Sequence, residues 1–203
     1  MKTLLFAILL AVSISAGAAN GFTEAANAYK TGDYAQALKQ IAPLARSGHA
    51  DAQHLLGLMY YTGRGVATDY KQALSWHRKA AQQGKADAQY VVGSMYYTGN
   101  AVPQDHKMAI NWFRKAADQG HAEAQYALGL MYRYHAAGLP QDKVLAYMLW
   151  NLAAASGNAN ATKQRAAISA RMTQEQIDEA LALSSAWRPG ERLPTHSRTG
   201  TFH

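Results

Sequence analysis

An internal repeat of 36 residues constrains the fold of this chain more than any other feature. The segments DAQHLLGLMYYTG, DAQYVVGSMYYTG and EAQYALGLMYRYH are near copies that begin at Asp51, Asp87 and Glu123. A second segment follows each copy and begins at Asp69, Asp105 and, after one inserted residue, Asp142. A fixed period of this length indicates a solenoid, because a single copy cannot bury its apolar face and stacked neighbours supply the core.

Each copy is predicted to form two antiparallel helices. In the second copy, apolar residues recur three or four positions apart, which is the spacing of one buried helix face. They are Ala88, Val92, Met95 and Tyr96 in the first segment and Ala109, Trp112, Phe113 and Ala116 in the second. We expect Trp112, and Trp76 at the same place in the first copy, to fill the space between helices.

Glycine recurs inside the first helix of every copy, at Gly57, Gly93 and Gly129. A helical glycine costs about 1 kcal/mol relative to alanine, so its repetition predicts a close helix contact there. One position of the second helix carries a ring in each copy: His77, Phe113 and Trp150. We interpret this as an aromatic packing position.

The stretch TGRGVATDYK, residues 62–71, has the glycine content of a phosphate-binding loop but not the spacing of one. Its counterpart TGNAVPQDHK has Ala101 in place of the second glycine, a change that a turn tolerates better than a phosphate cradle. We therefore predict a turn between helices. Gly63 and Gly99 should end one helix in the left-handed conformation, and Asp69 and Asp105 should cap the next.

The two ends of the chain differ from the repeats. Residues 1–18 combine Lys2, the apolar run LLFAILLAV and Ala16-Gly17-Ala18, which is the pattern of a cleavable signal peptide. The predicted divisions are a signal peptide (1–18), an N-terminal capping helix pair (19–48), repeats at 49–84, 85–120 and 121–157, the last divergent, C-terminal capping helices (158–187) and a tail (188–203). Thr173 and Gln176 have the spacing of a capping box, and the polar, Pro- and Gly-containing tail is predicted to be disordered.

The signal pattern predicts a periplasmic or secreted protein without stable membrane insertion, since the apolar run is too short to cross a bilayer. There are no cysteines, so the chain has no disulfides and no thiolate nucleophile. Formal net charge is +7, and the Arg-Lys pairs of the second helices fall on an expected solvated face. The sequence has no stripe of basic residues interleaved with aromatic ones, so nothing in it suggests nucleic acid as a partner.

The repeats resemble Sel-like repeats, relatives of the tetratricopeptide repeats. The resemblance rests on AxAQxxLGxMY, YxGxxV and WxRKAAxxG, which are clearest in residues 50–120. It implies an all-α, right-handed superhelical solenoid of antiparallel helix pairs that presents a concave surface to other proteins, often in the bacterial envelope. One cysteine-rich subset has been linked to penicillin-like ligands, and the lack of cysteine separates this chain from that subset.

The resemblance also implies that the first helix of each pair lines the concave surface. Candidate partner-binding residues are the equivalent positions His54, Tyr90 and Tyr126, and Tyr61, Tyr97 and Arg133. Tyrosine suits a protein-binding surface because it offers large contact area at low entropic cost. The alternative is that these tyrosines only pack between repeats.

No motif indicates catalysis or a cofactor. The eight histidines include no HxxxH pair, and neither a nucleophile elbow nor a Ser-x-x-Lys motif is present. We therefore expect no enzyme activity, metal or cofactor, and interpret the chain as an exported adaptor for a protein or peptide. The alternatives are a peptidoglycan or wall-fragment binding protein, whose binding should weaken with salt, and a cell-wall hydrolase. The oligomeric state stays open.

Overall fold

The computed structural model describes residues 21–134 and 136–199, which form helices joined by turns, without a multi-residue strand. The predicted signal peptide, residues 1–18, lies outside these ranges. Within them, no helix has both the length and the apolar character that a membrane crossing requires. The chain divides into two compact units, one ending at Ala88 and the other beginning at Gln89.

The helices follow the predicted pairing. Their bounds are α1 over residues 21–31, α2 Tyr34–Arg46, α3 Ala50–Thr62, α4 Tyr70–Gln82, α5 Ala86–Thr98, α6 His106–Ala117, α7 Ala122–Arg133, α8 Lys143–Ala155, α9 Ala159–Ser169 and α10 Gln174–Ala186, with a 3₁₀ turn at Ala136–Gly138. Helix α3 packs against α4, and α7 packs against α8. The prediction of an all-α helical repeat fold is confirmed.

The repeated aspartates cap the second helix of each pair. Asp69 Oδ1 accepts hydrogen bonds from the backbone N–H groups of Lys71 and Gln72 at 2.9 and 3.0 Å. Asp105 and Asp142 make the equivalent contact with the residue three positions later. Because these side chains satisfy helix N–H groups that have no partner within the helix, they fix where each helix begins.

The stretch 62–71 is the predicted turn between α3 and α4. Gly63 ends α3 with φ 71°, and Gly99 has φ 77° in the second copy. The capping box of Thr173 and Gln176 is also present at the start of α10. Local capping residues therefore set these helix boundaries as the sequence predicts.

The helical glycines let an aromatic ring approach the backbone. A Cβ atom added to Gly57 would lie 2.9 Å from the ring of His77, and one on Gly93 would lie 2.7 Å from Phe113. Gly129 is approached still more closely by Trp150. Any larger residue would collide with the ring, which explains the glycine at this helix position.

The tryptophans at 76 and 112 are not the rings that approach these glycines, although Trp76 packs against the apolar core of the first unit. Both are half-buried, and the ammonium groups of Lys79 and Lys115 lie over their rings at 4.0 and 4.4 Å. One residue along a helix turns the side chain by about 100°, so the position after each tryptophan points at the glycine instead.

A glutamine near the start of the first helix makes side-chain hydrogen bonds in each copy. Gln53 donates from Nε2 to the carbonyl oxygen of Ala45 at 3.1 Å, and its Oε1 accepts from Gln83 Nε2 at 2.7 Å. In the next copy Gln119 Nε2 donates to Gln89 Oε1, also at 2.7 Å. Gln53 and Gln89 are buried, and the exposed Gln83 and Gln119 supply a hydrogen bond to each of them, which lowers the cost of burying the amide.

The third copy departs from this pattern. Gln125 Nε2 donates to the carbonyl oxygen of Ala117 at 3.3 Å, but the place of Gln83 and Gln119 is taken by Ser156. Gln125 Oε1 is buried and finds no hydrogen-bond partner among the described residues. The serine side chain is too short to supply the missing donor.

Residues 188–199 differ from the predicted disordered tail, because specific hydrogen bonds hold them against the second unit. Gly190 N–H donates to the Asp118 carbonyl oxygen at 2.7 Å, and Ser197 N–H donates to Asp142 Oδ2 at 3.0 Å. Leu193 is only 4% exposed. Composition predicts disorder where a segment lacks apolar residues, but here polar groups far away in sequence bind its backbone. Residues 200–203 lie outside the described ranges.

Candidate functional site

Three of the predicted partner-binding residues meet at one cavity in the second unit. Tyr90 and Tyr97 from α5 and Tyr126 from α7 line a cavity of about 340 Å³. The lining also includes the apolar side chains of Phe113, Leu130, Met131 and Tyr134, and the carboxylate of Glu123. We call this cavity the aromatic pocket.

Ring contacts hold the tyrosines of the aromatic pocket in place. Tyr90 stacks on His121, with ring centroids 4.8 Å apart and an interplanar angle of 22°, and lies 5.6 Å from Phe113. Tyr97 packs against His106 at 5.1 Å. Phe113 is itself buried beside Gly93, so the rings rest on the close contact between α5 and α6. A preformed wall of this kind lowers the entropic cost of binding.

The mouth of the aromatic pocket exposes two large aromatic side chains. Tyr97 is 44% exposed and Tyr134 is 65% exposed. Exposed aromatic side chains around an apolar depression are typical of protein interaction sites. Glu123 is also exposed, and His121 Nδ1 lies 3.6 Å from its Oε2 atom. The site therefore offers apolar surface with a negative charge at its edge.

Sequence reasoning missed Tyr134 as a site residue. The other copies have Thr62 and Thr98 at its position, directly before the glycine that ends the helix. The departure of this position from the repeat could have indicated a site residue, because a large aromatic side chain replaces a small polar one at an exposed helix end. Phe113 was also missed as a lining residue, because the repeat pattern marks it only as packing.

Arg133 does not line the aromatic pocket. Its guanidinium lies 5.4 Å from the centre of the Tyr134 ring, and its carbonyl oxygen accepts a hydrogen bond from Gln141 Nε2. Its contact with a partner stays a prediction. In this structure Arg133 makes a cation–π contact with the Tyr134 ring.

His54 and Tyr61 belong to the first unit. Tyr61 packs edge-on against Tyr70, with ring centroids 5.2 Å apart, and His54 lies 5.0 Å from the His77 ring. His77 is completely buried, and neither of its ring nitrogens has a hydrogen-bond partner among the described residues. Burial and the neighbouring His54 lower the pKa of His77 to about 3, so its ring is neutral at physiological pH. A role of His54 and Tyr61 in binding stays a prediction.

The described residues contain no group of three or more histidines, aspartates or glutamates positioned to hold a metal ion. The acidic side chains at the repeated second-helix starts are occupied as helix caps instead. The chemistry that the aromatic pocket offers is apolar contact, ring stacking and one charge.

A search of curated protein sequences finds no significant match. Solved structures give clear matches. The chain is similar to a Sel1 repeat protein from Oxalobacter formigenes, with 30% identity, a TM-score of 0.67 and coverage of 71% of this chain and 59% of that one. It is also similar to c5321, a protective antigen of uropathogenic Escherichia coli strains with an SLR fold, with 33% identity, a TM-score of 0.71 and coverage of 80% of this chain.

The chain spans 59% of the Oxalobacter protein and 36% of c5321, so it corresponds to a part of each. The family model for the Sel1 repeat matches residues 50–85, 86–121 and 122–158, which together make up more than half of the chain. These ranges repeat the 36-residue period and the helix pairs of the structure. The chain therefore belongs to the Sel1 repeat family.

Proposed function

We propose that this Sel1 repeat protein is an exported, non-enzymatic adaptor of the bacterial envelope that binds a protein or peptide through the aromatic pocket. Sel1 repeats are generally protein–protein interaction modules. The observation that carries the proposal is the meeting of Tyr90, Tyr97 and Tyr126 around one apolar cavity whose mouth exposes Tyr97 and Tyr134.

The lining defines the chemistry of the proposed partner. Phe113, Leu130 and Met131 provide an apolar floor, which suits one large aliphatic or aromatic side chain of the partner. The carboxylate of Glu123 at the edge favours a basic residue beside that anchor. The expected ligand is thus a protein segment with an apolar anchor flanked by lysine or arginine.

Export is supported by the residue pattern of 1–18 alone. The N-terminal sequence of the protein isolated from the envelope or culture fluid of the native host tests it. Cleavage at or next to Ala18 is the expected result. An intact N-terminus in the cytoplasmic fraction would remove this part of the proposal and leave the binding site untouched.

Crosslinking in the native host identifies the partner. A photo-crosslinking residue replaces Tyr97 in one strain and Lys163 in another, since Lys163 is exposed on α9 and does not line the aromatic pocket. We expect a discrete protein to be captured from position 97 only. Equal capture from both positions would mean that the aromatic pocket is not the binding site.

Substitution then tests the pocket with the purified partner. Tyr97→Ser and Tyr134→Ser should each weaken binding by about tenfold or more, since buried aromatic anchors dominate interface energies. Tyr70→Ser is the matched control, because Tyr70 has a nearly equal exposed fraction of 45% and lies outside the pocket. Equal losses in all three variants would contradict the proposal.

A further inference from the structure

The tail, residues 188–199, lies on a second surface of the unit that begins at Gln89. This surface is formed by five polar residues from α6 and its C-cap, from α10 and from the N-cap of α8, and we call it the tail groove. They are Arg114, Asp118, Asp142, Gln176 and Glu179. None of them lines the aromatic pocket, so the tail groove is a separate site.

The tail groove binds mainly the backbone of the tail. Asp118 accepts hydrogen bonds from two tail N–H groups, from Gly190 through its carbonyl oxygen at 2.7 Å and from Leu193 through Oδ1 at 2.9 Å. Arg114 Nη1 donates to the carbonyl oxygens of Leu193 and Pro194 at 3.3 and 3.4 Å. Contacts of this kind recognise an extended chain whatever its side chains are.

Glu179 and Gln176 continue this pattern at the far end of the tail. The Glu179 carboxylate accepts from the N–H groups of Arg198 and Thr199 at 2.6 and 3.0 Å and from the Thr199 hydroxyl. Gln176 Nε2 donates to the Thr199 carbonyl oxygen at 2.9 Å. Although burial opposes ionisation, these hydrogen bonds lower the pKa of Glu179, so the charged form binds the tail.

Two side chains of the tail are buried against the unit. Leu193 is buried against the unit. Ser197 is also buried, and its hydroxyl donates to Asp142 Oδ2 at 2.7 Å. Asp142 is fully buried, and its Oδ1 atom caps α8. Ser197 therefore supplies the hydrogen bonds to the remaining oxygen, Oδ2. The recognised pattern is an apolar residue followed four positions later by a small hydroxyl residue.

The tail does not fill all the space beside it. A cavity of about 490 Å³ remains between the tail and α6, lined by Trp112, Arg114, Lys115 and Asp118 and by Arg192 and Leu193 of the tail. Asp118 also departs from the repeat, since the first copy has Gln82 at this position. The contact of the Asp118 carboxylate with the tail thus has no counterpart in the first copy.

From these contacts we propose that the tail groove is a binding site for an extended peptide segment with an apolar residue and, four positions later, a serine or threonine, and that the tail occupies it as an intramolecular ligand. A partner carrying this pattern binds where the tail lies, and the tail competes with it. The proposal is independent of the aromatic pocket.

The test uses the full chain with Leu193→Ser and Ser197→Ala, which removes both side-chain anchors of the tail. The probe is a fluorescein-labelled peptide with the sequence of residues 187–199, WRPGERLPTHSRT. Trypsin cleavage after Arg192 and Arg198 reports release of the tail, and circular dichroism reports that the helices are intact. We expect faster cleavage and saturable peptide binding by the variant, with the wild-type chain binding at least about tenfold more weakly because its own tail competes.

Three controls sharpen the test. A peptide with serine and alanine at the two anchor positions keeps the backbone contacts and should bind at least about tenfold more weakly than the probe. Adding Arg114→Met to the variant should weaken binding of the probe by about tenfold, since it removes a charge-assisted contact. Arg78→Met, the equivalent change in the first copy, should leave binding unchanged.

Several results would overturn the proposal. A released tail without peptide binding would mean that residues 188–199 are only a structural part of the fold. A tail that stays protected in the variant would mean that Leu193 and Ser197 are not its anchors. If the variant loses its helices, the wild-type chain decides the question. Excess unlabelled peptide, made with citrulline at the two trypsin sites so that it is not itself a substrate, should speed trypsin cleavage of the tail, and an unchanged rate would refute the proposal.

Discussion

Ala101 is held in a left-handed conformation, with φ 70°, at the position where the first copy has Gly65 with φ 76°. The two turns thus share the left-handed conformation at this position although one of them lacks the glycine. A non-glycine residue pays about 1–2 kcal/mol for this conformation, and no other described non-glycine residue has a positive φ. The cost shows that the flanking helices and caps fix the turn, and that residue 101 conforms to it.

Ala101→Gly is therefore expected to raise the free energy of unfolding by about 1 kcal/mol, because the strain exceeds the entropy that glycine adds to the unfolded chain. Urea denaturation followed by circular dichroism measures the change. The reciprocal variant, Gly65→Ala, should be destabilising by more than this, since its Cβ would also lie 2.8 Å from the Tyr34 carbonyl oxygen. A neutral result for both would refute the strain argument.

His77 is the second residue whose environment makes a quantitative prediction. Its pKa falls from 6.5 in the unfolded chain to about 3 in the folded one. Between these values the unfolded chain binds a proton that the folded chain rejects, so stability falls as the pH is lowered. The slope approaches about 1.4 kcal/mol per pH unit over this window.

His77→Phe should remove this dependence, because the second copy has a phenylalanine against the glycine at the same position. We expect the variant to be more stable by about 1 kcal/mol at pH 7, where two buried nitrogens without partners are lost, and by more at pH 5. Urea denaturation at the two pH values measures the difference. Phe113→His is the reciprocal control and should introduce the acid sensitivity.

At the scale of the element, the glutamine contacts show what one copy lacks. Ser156→Gln should supply a donor for Gln125 Oε1, as Gln119 does for Gln89 in the preceding copy. The expected gain is about 1 kcal/mol, the typical net value of satisfying one buried acceptor. Ala155→Gln is the matched control, because it adds the same side chain at the neighbouring exposed position. Equal changes in thermal unfolding for both variants would contradict this reasoning.

The sequence predicts the helix pairs and their boundaries because the signals are local. Capping aspartates, the left-handed glycine and the capping box each act within four residues of the chain. The repeat helps further, because a helix boundary or packing position assigned in one copy has to fit the other two copies as well. The equivalence of Tyr90 and Tyr126 likewise indicated two residues of the aromatic pocket.

Two features could not be predicted in this way: the binding of the tail to the second unit, and which aromatic ring lies against each helical glycine. The contact of Ser197 with Asp142 joins residues 55 positions apart, and no period or cap signals it. Whether Trp112 or Phe113 lies against Gly93 depends on how α6 is rotated about its axis. The sequence does not fix this rotation, because both residues fall within the apolar face of the helix. Long-range polar contacts and fine rotation are decided only when the helices pack.

At the scale of the whole molecule, the net charge of +7 and the apolar site predict different salt responses. Binding of the crosslinked partner through the aromatic pocket should change by less than about threefold when ionic strength rises to roughly 0.5 M, because apolar contacts are not screened. Binding to an anionic wall polymer should fall steeply instead. Titration calorimetry at two salt concentrations makes this comparison, and a steep loss for the purified partner would favour charge over the pocket.

The hydrogen-bonded tail affects how strongly an external peptide must bind to occupy the tail groove. The connector between the end of α10 at Ala186 and the anchor at Leu193 is short, so the tail samples its own groove at an effective concentration on the order of millimolar. If the groove also takes an external peptide, that peptide must outcompete this local ligand. The attachment then acts as an affinity threshold: weak, abundant peptides stay excluded, and only ligands with strong or multiple attachments displace the tail.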